Sequence, residues 1–578
     1  MPVENAEVAR LFREVADLLE LQGANPYRIR AYQGAARTIE ELPQPVEELV
    51  RGRKGKSLAD LPGIGEDLAG KIEEIVNTGA LRALGELERK VPKGLATLMH
   101  VRGLGPKRAR ALFDSLGVHT LSQLDRACRA GKVRHLPGFG AKTEANLLHE
   151  LEAHGAEEHR VLRPVAAQYG EALLRYLRSV EGVHRAEIAG SYRRCRDTVG
   201  DLDILVTCRR GTPVIHRFVS YPEVEEVLAE GPTRSSVRLR CGLQVDLRVL
   251  AEASYGAGLY YFTGSKAHNI AVRRIAQKKG LRINEYGVWH GRRRIAGRTE
   301  EEVLGSVGLP WIPPELRENR GEIEAARQGT LPALVERADI RGDLQSHTTD
   351  SDGRDTLAAM AHAAEDLGYE YLAITDHTPA VRVAGGLDRA GFRRQMKRIE
   401  RLNGRLSKLT LLKGAEVDIR PDGSLDLDDA TLDTLDVVLI SVHSGFDLSE
   451  REQTKRVLRA LRHPSVDLLA HPTGRLIGRR GGLRVDLEQV YRVAVEHGVL
   501  LEVNGQPDRL DLDDLASHAA LAFGATLAIS TDAHATAELG FMRWGVDQAR
   551  RGWATRDRVA NTRPLERLLP LLHAGRRR

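Results

Sequence analysis

The sequence predicts a multidomain chain of α+β and α/β units: helical N-terminal domains, a mixed central part and a C-terminal (β/α) barrel. Three observations predict it. A glycine-turned helical element recurs three times between residues 61 and 148. From about 165 to 320 strand and helix patterns mix. From about 338 onward, short apolar strands alternate with helices and end in histidines and carboxylates. At 578 residues the chain is long enough for about three to five domains of ~150 residues each.

Residues 1–90 read as helical, because "VARLFREVADLLEL" and "RIRAYQGAARTIEEL" repeat apolar residues at helical spacing. The recurring element appears as "LPGIGEDLAGKI", "VRGLGPKRARAL" and "LPGFGAKTEANLL", each an apolar-x-Gly-apolar-Gly turn followed by a helix. Gly63 and Gly65, Gly103 and Gly105, and Gly138 and Gly140 permit a tight turn. Behind it, the N–H groups of the helix start face outward with the positive end of the dipole, a geometry that receives a phosphate. The element resembles the helix-hairpin-helix motif, which grips a DNA backbone without reading sequence.

Charge agrees with a polyanionic partner. The net charge is +6, the isoelectric point is near 9.1, and the positive excess lies in residues 101–300. No apolar run approaches the ~20 residues of a bilayer span, and the N-terminus lacks a secretory pattern. Cys128, Cys195, Cys208 and Cys241 follow no metal or disulfide spacing. A reduced, cytoplasmic, nucleoid-associated setting with no membrane partner is therefore expected.

The central part carries "GSYRRCRDTVGDLDILV". Asp201 and Asp203 are two apart on a strand, so they share a face and repel each other unless a cation lies between them. The bland alternative is a solvated strand edge. Asp246 in "LQVDLRVL" stands among apolar neighbours and needs a partner of its own. If its strand lies beside the first, three carboxylates can hold two divalent ions. The Gly190–Ser191 turn can present an N–H and a hydroxyl to a phosphate, with Arg194 nearby.

These motifs, together with "YFTGSKAHNIAVRRIAQKKGLRINEYG", resemble the family X DNA polymerases, such as eukaryotic polymerase beta. The resemblance implies a nucleotidyltransferase palm at 156–250 and a thumb or nucleotide-selection subdomain at 251–318. Before them it places a lyase-like domain at 1–90 and fingers with two hairpins at 91–155. It implies Asp201, Asp203 and Asp246 as catalytic Mg or Mn ligands. Ser191, Arg194 and Gly200 would contact nucleotide phosphates, with Arg163 as a further phosphate contact of poorer flanking match. Tyr261 and Phe262 would pack on the sugar, Asn269 reach the base edge and Arg273 the template. Lys71 falls where the family's deoxyribose-phosphate lyases carry their Schiff-base lysine. Asp67, however, occupies a position that lyase-active members commonly give to a lysine, and a second basic helper is at best Arg28. A surface lysine on an amphipathic helix is the competing reading.

Residues 319–337 read as a polar helical linker, and 338–578 as the barrel. Its motifs are "DLQSHTTDSDG", "ITDHT", "GAEVDI", "SVHSG", "LAHP" and "STDAH". They supply His347, Asp352, His377, Glu416, His443, His471, Asp532 and His534 at the C-terminal ends of strands, where such barrels place active sites. Imidazole with carboxylate suits Zn, Mn or Fe, and this many ligands would support two or three ions. The set resembles the PHP domain (polymerase and histidinol phosphatase), a (β/α)7-type barrel. One departure is Gln345, where the family's first motif begins with histidine, which suggests a weaker ligand or a preference for Mn. In bacterial family X polymerases this domain is associated with a Mn-dependent 3′→5′ exonuclease. Arg475, Arg479 and Arg480 could hold a DNA phosphate or form a solvated basic loop.

The expectation is a monomeric polymerase acting on gapped or primer–template DNA and dNTPs, filling short gaps in DNA repair such as base excision repair. Other readings remain open from sequence. The barrel is only a platform or a different phosphoesterase, the chain is a small-molecule nucleotidyltransferase joined to a phosphatase, or both sites are dead on a DNA-binding scaffold.

Overall fold

The computed structural model describes residues 5–22, 24–40, 46, 50, 58, 61, 63–78, 80–88, 95, 98, 101, 104–156, 160–208, 211–381 and 384–572. The first helix, Asn5–Leu21, buries Val8, Phe12, Val15 and Leu19 along one stripe, as the spacing predicts. It packs on the helix Pro26–Glu40, with Phe12 edge-on to Tyr32 at 5.4 Å between centroids. Buried residues from Val8 to Leu151 form one hydrophobic cluster, so the two N-terminal units predicted at 1–90 and 91–155 share a core.

The central sheet contains β1 (Val183–Ile188), β2 (Asp201–Cys208), β3 (Val224–Glu230), β4 (Arg234–Leu239) and β5 (Gln244–Leu250) in the order β1-β2-β5-β4-β3. Only β2 and β5 pair in parallel; every other pairing is antiparallel. Ile204 and Val206 of β2 bury into a core with Val245 and Leu247 of β5 and with Leu173 and Leu177 of the helix Arg163–Arg178.

Next come the helices Tyr255–Thr263 and Lys266–Lys278, then a small antiparallel sheet of β6 (Leu281–Asn284), β7 (Gly287–His290) and β8 (Arg293–Ala296). The segment predicted as a linker is no free tether. Its helix Glu322–Gln328 inserts Ala326 into the core of this subdomain beside Leu309, Ile312 and Leu316. Glu322 is fully buried because its carboxylate meets His268 Nδ1 at 2.7 Å and accepts the N–H groups of Asn319 and Arg320.

The C-terminal part is a parallel barrel of seven strands in sequential order: β9 (Gly342–Asp343), β10 (Tyr371–Ile374), β11 (Thr410–Asp418), β12 (Val437–Ser441), β13 (Leu468–Leu469), β14 (Leu500–Asn504) and β15 (Leu527–Ser530). The ring nearly closes just beyond the strands: Ser346 bridges Ala533 in parallel, and Thr531 donates through its hydroxyl and N–H to Asp343. Burial pushes the Asp343 carboxyl up to about 6, opposed by those donors.

Candidate active sites

In the palm-like sheet, parallel pairing sets Asp203 of β2 directly opposite Asp246 of β5. Asp201 lies two residues before Asp203, on the same face. Burial, then the charges of Asp201 and Asp246, pushes the Asp203 carboxyl up to about 7, while Arg248 and Arg194 offset only part of this. Three converging carboxylates short of positive charge are what a divalent cation would complete. Asp246 is oriented by Ser236 Oγ and by Gln244 Nε2 at 3.1 Å.

The chain turns into this site at Gly190, which has φ +64°; a Cβ there would stand 2.8 Å from Asp203 Oδ2. Glycine is therefore required by both backbone and space. The short helical turn Gly190–Arg193 carries Ser191, half-buried, and Gly200 ends the approach to β2. Arg194 donates to the Thr263 carbonyl at 2.5 Å and to Glu318 at 3.1 Å. Tyr261 and Phe262 sit edge-to-face, and the Arg248 guanidinium covers the Phe262 ring at 4.2 Å. Asn269 donates to the Tyr261 carbonyl at 2.8 Å, and its own buried Oδ1 has no partner. Arg273 Nε reaches the Asn269 carbonyl at 3.3 Å. Neighbouring Arg193 straps the palm to the following subdomain through Glu300, which Arg193 and Arg317 hold down at about 2 despite burial.

In the barrel, Glu416 is the hub. Its oxygens lie 2.9 Å from His471 Nε2, 3.3 Å from His347 Nε2 and His443 Nε2, and 3.6 Å from His377 Nδ1. Three overlapping groups have ligand atoms within 4.8 Å of one another: His347, Asp352, His377 and His534; His377, Glu416 and His443; and His347, Glu416 and Asp532. The His347 ring stacks between His377 at 4.6 Å and His534 at 4.3 Å. Asp532 and Glu416 hold the His347 imidazole well above its ordinary value although burial opposes this. His377 falls to about 4, through burial first and then the neighbouring His347 and His443. Both ring nitrogens of His347, Nδ1 of His377 and Nδ1 of His471 are buried without a hydrogen-bond partner. Orphaned imidazole nitrogens beside shared carboxylates form a donor set that fits divalent ions.

His471 at φ +28° and Asp532 at φ +53° hold left-handed backbone, a strain that clusters at functional sites. Gln345 is fully buried in the cluster: its Nε2 donates to Glu416 at 2.9 Å and Asp532 at 3.4 Å, and its Oε1 has no hydrogen-bond partner. Sequence reasoning passed over the residues that orient the ligands. Asp418 accepts the His443 N–H at 3.0 Å, and Glu502 accepts that of His471 at 2.5 Å. Both were detectable, since Asp418 lies two residues after Glu416 on the same strand face and Glu502 interrupts the apolar run "LLEVN". Arg248, two residues after Asp246, was detectable in the same way.

The comparisons match this geometry domain by domain. Residues 3–81 match the Helix-hairpin-helix domain and 95–153 the SAM-like Helix-hairpin-helix tandem. Residues 160–230 match the DNA polymerase beta palm, 258–318 the DNA polymerase beta thumb and 343–505 the PHP domain. The DNA polymerase/3′-5′ exonuclease PolX of Bacillus subtilis (strain 168) is 38% identical over 97% of this chain and 98% of its own length. The chain belongs to the bacterial family X DNA polymerases with a PHP domain. DNA polymerase lambda of Arabidopsis thaliana is 27% identical over 55% of the chain and 62% of its own length. A probable phosphatase of Thermoanaerobacter sp. (strain X514) is 28% identical over 38% of the chain and 89% of its own length.

Within this family X polymerase, several predicted residues lie elsewhere than expected. Arg163 does not reach toward a phosphate. Its guanidinium is held by Asp547 of the PHP domain at 2.6 Å and covers the Trp544 ring at 4.8 Å. Arg475 likewise spans the domains, to Asp197 of the palm at 2.8 Å. Arg480 donates to the Gly474 carbonyl and lies over Phe446, and Arg479 faces Asp508 at 3.8 Å. Arg475, Arg479 and Arg480 thus each have a carboxylate or carbonyl partner within the chain. Lys71 Nζ is paired with Asp67 at 2.5 Å. Gly63 and Gly138 adopt positive φ, and Gly65, Gly105 and Gly140 precede their helices with open space where a Cβ would project. Gly103 lies outside the described residues. Among the described residues no helix is long and apolar enough to cross a membrane.

Proposed function

We propose that the chain fills short gaps in DNA by two-metal nucleotidyl transfer and trims 3′ ends in its PHP domain. The register of Asp203 against Asp246, beside Asp201, carries the first part. Asp201, Asp203 and Asp246 would hold divalent Mg or Mn, which would supply positive charge to activate a primer 3′-hydroxyl and to stabilise the departing pyrophosphate. Ser191, Gly200 and Arg194 receive the triphosphate, Tyr261 and Phe262 form the sugar wall, and Asn269 and Arg273 face base and template. The hairpin glycines hold the backbone of gapped or primer–template DNA.

The Glu416 hub with its four histidines supports the second part. His347, Asp352, His377, Glu416, His443, His471, Asp532 and His534 would hold two or three Mn or Zn ions, with Gln345 as a weak oxygen ligand. The Bacillus relative is named for a 3′-5′ exonuclease, and phosphoester hydrolysis is what such a cluster performs. A different phosphoesterase substrate is the second reading, favoured by the phosphatase relative and by Gln345. The lysine-based lyase is not part of this proposal, since Asp67 engages Lys71.

A labelled one-nucleotide-gap DNA with Mn²⁺, with and without dNTPs, tests both parts beside His377→Ala. Extension in both proteins, with shortening only in the unmodified one, supports two separate sites. No shortening in either would remove the exonuclease and leave the other phosphoesterase or a platform.

A further inference from the structure

The cations around Arg194 come from two domains. Arg551 ends the helix Met542–Arg551 of the PHP domain, and its side chain is 1% exposed. It donates to the backbone carbonyl of Arg194 at 2.5 Å, to Glu318 Oε1 at 3.1 Å and to Asp514 Oδ2 at 2.5 Å. The same Glu318 oxygen accepts Arg194 Nε at 3.1 Å, and the same Asp514 oxygen holds Arg320 at 2.7 Å. Three guanidinium groups thus share two carboxylates, so the position of each depends on the others. Arg194 and Glu318 are only 14% and 12% exposed, so water does little to screen their pairing. Removing one member of such a desolvated network releases its neighbours. Arg194 is also held from the other side, since its NH1 donates to the Thr263 carbonyl.

We propose that Arg551 is a positioning residue of the polymerase: through Glu318 and the Arg194 carbonyl it fixes Arg194 for the triphosphate of the incoming nucleotide. The PHP domain thereby completes the nucleotide pocket. This rests on the reading of Arg194 as a phosphate contact. Preorganising a charge-assisted donor favours ground-state binding of the triphosphate, so the effect falls on KM and spares kcat.

The test uses the full chain on one-nucleotide-gap DNA. It reads KM and kcat for dNTP, the Kd of dNTP in Ca²⁺ on a dideoxy-terminated primer, and inhibition by inorganic tripolyphosphate. Arg551→Met is expected to raise KM, Kd and the inhibition constant together by about five- to tenfold. The kcat should stay within about twofold, and the affinity for gapped DNA should be unchanged. Arg551→Lys recovers part of the loss, and Arg551→Met with Glu318→Gln costs less than the product of the single effects. Asp547→Asn is the control. It breaks the interdomain pair with Arg163, which makes no hydrogen bond to Arg194, and should leave KM alone. A KM within twofold of the unmodified protein in Arg551→Met, or an equal rise in Asp547→Asn, overturns the proposal. If Arg194→Met also leaves KM unchanged, the phosphate reading of Arg194 itself falls. Should Arg551→Met not fold, Asp514→Asn removes Arg551's second anchor and carries the same expectation at about two- to threefold; an unchanged KM there also overturns it.

Discussion

Replacing Asp203 by asparagine should stabilise the metal-free palm at alkaline pH while abolishing nucleotide incorporation. The Asp203 carboxyl titrates near 7 in the folded chain against an ordinary 3.8. That difference opposes its ionisation by roughly 4 kcal/mol. The side chain is partly open to solvent, so screening reduces the working figure to roughly 2 kcal/mol. The sign follows from proton binding. Between pH 3.8 and about 7 the unfolded chain loses this proton while the folded chain keeps it, so stability falls across that window and stays low above it. Asparagine removes the penalty, so the variant gains nothing at pH 4 and about 2 kcal/mol at pH 8. Hydrogen exchange read on peptides covering β2 and β5 in chelator isolates the palm from the other domains. Protection should be greater in Asp203→Asn than in the unmodified chain at pH 8 and equal at pH 4. Added Mn²⁺ should reverse the order at pH 8, since only the unmodified site gains a counter-charge. Equal protection at pH 8 without metal would refute the claim that these carboxylates strain one another, and retained incorporation in the variant would refute their role in catalysis.

Further outcomes follow from neighbouring geometry. Gly190→Ala, with its Cβ driven against Asp203 Oδ2, should cost about a hundredfold in incorporation with little change in gapped-DNA affinity, read by primer extension and a binding titration. Gln345→His, placing a ring nitrogen where Nε2 now contacts Glu416, should raise the metal bound per chain, measured by elemental analysis after dialysis. Glu416→Gln should lower that metal content and leave gap filling intact. Asp547→Asn should destabilise the palm–PHP contact by about 1–2 kcal/mol, because it strands a mostly buried Arg163 whose partner is a quarter exposed; a melting midpoint unchanged from the unmodified chain would contradict it.

The two sites differ in how they tolerate being assembled without metal. In the barrel, histidine rings stand among the acids, so Glu416 and Asp532 remain well below the ordinary carboxylate range even though both are buried. Imidazole supplies there the positive charge that a metal would otherwise bring. The palm has no such resident partner. Asp203 faces two acids, with Arg248 over Phe262 and Arg194 engaged by Glu318. The palm therefore depends on metal and nucleotide arriving with opposite charges, while the barrel is largely balanced beforehand.

The same contrast explains what the sequence made legible. Ligands that follow an apolar strand announce themselves locally, because the strand's period fixes their face and the barrel fixes their end. Asp201 and Asp203 share that advantage, and Asp246 betrays itself as an acid among apolar neighbours. The basic residues carry no such mark. An arginine aimed at phosphate and one aimed at carboxylate use the same planar fork, so Arg163 and Arg475 look like phosphate contacts until their partners, 384 and 278 residues away, come into view. Glu322 misleads for the complementary reason. Its polarity suggests a solvated linker, yet it is buried as the partner of His268. Arg194 stands between these cases: a carboxylate already holds it, as with Arg163, but it also lies close enough to the palm acids to act on Asp203. Long-range placement, rather than local pattern, is what distinguishes an arginine that only ties domains together from one set beside the metal-binding acids.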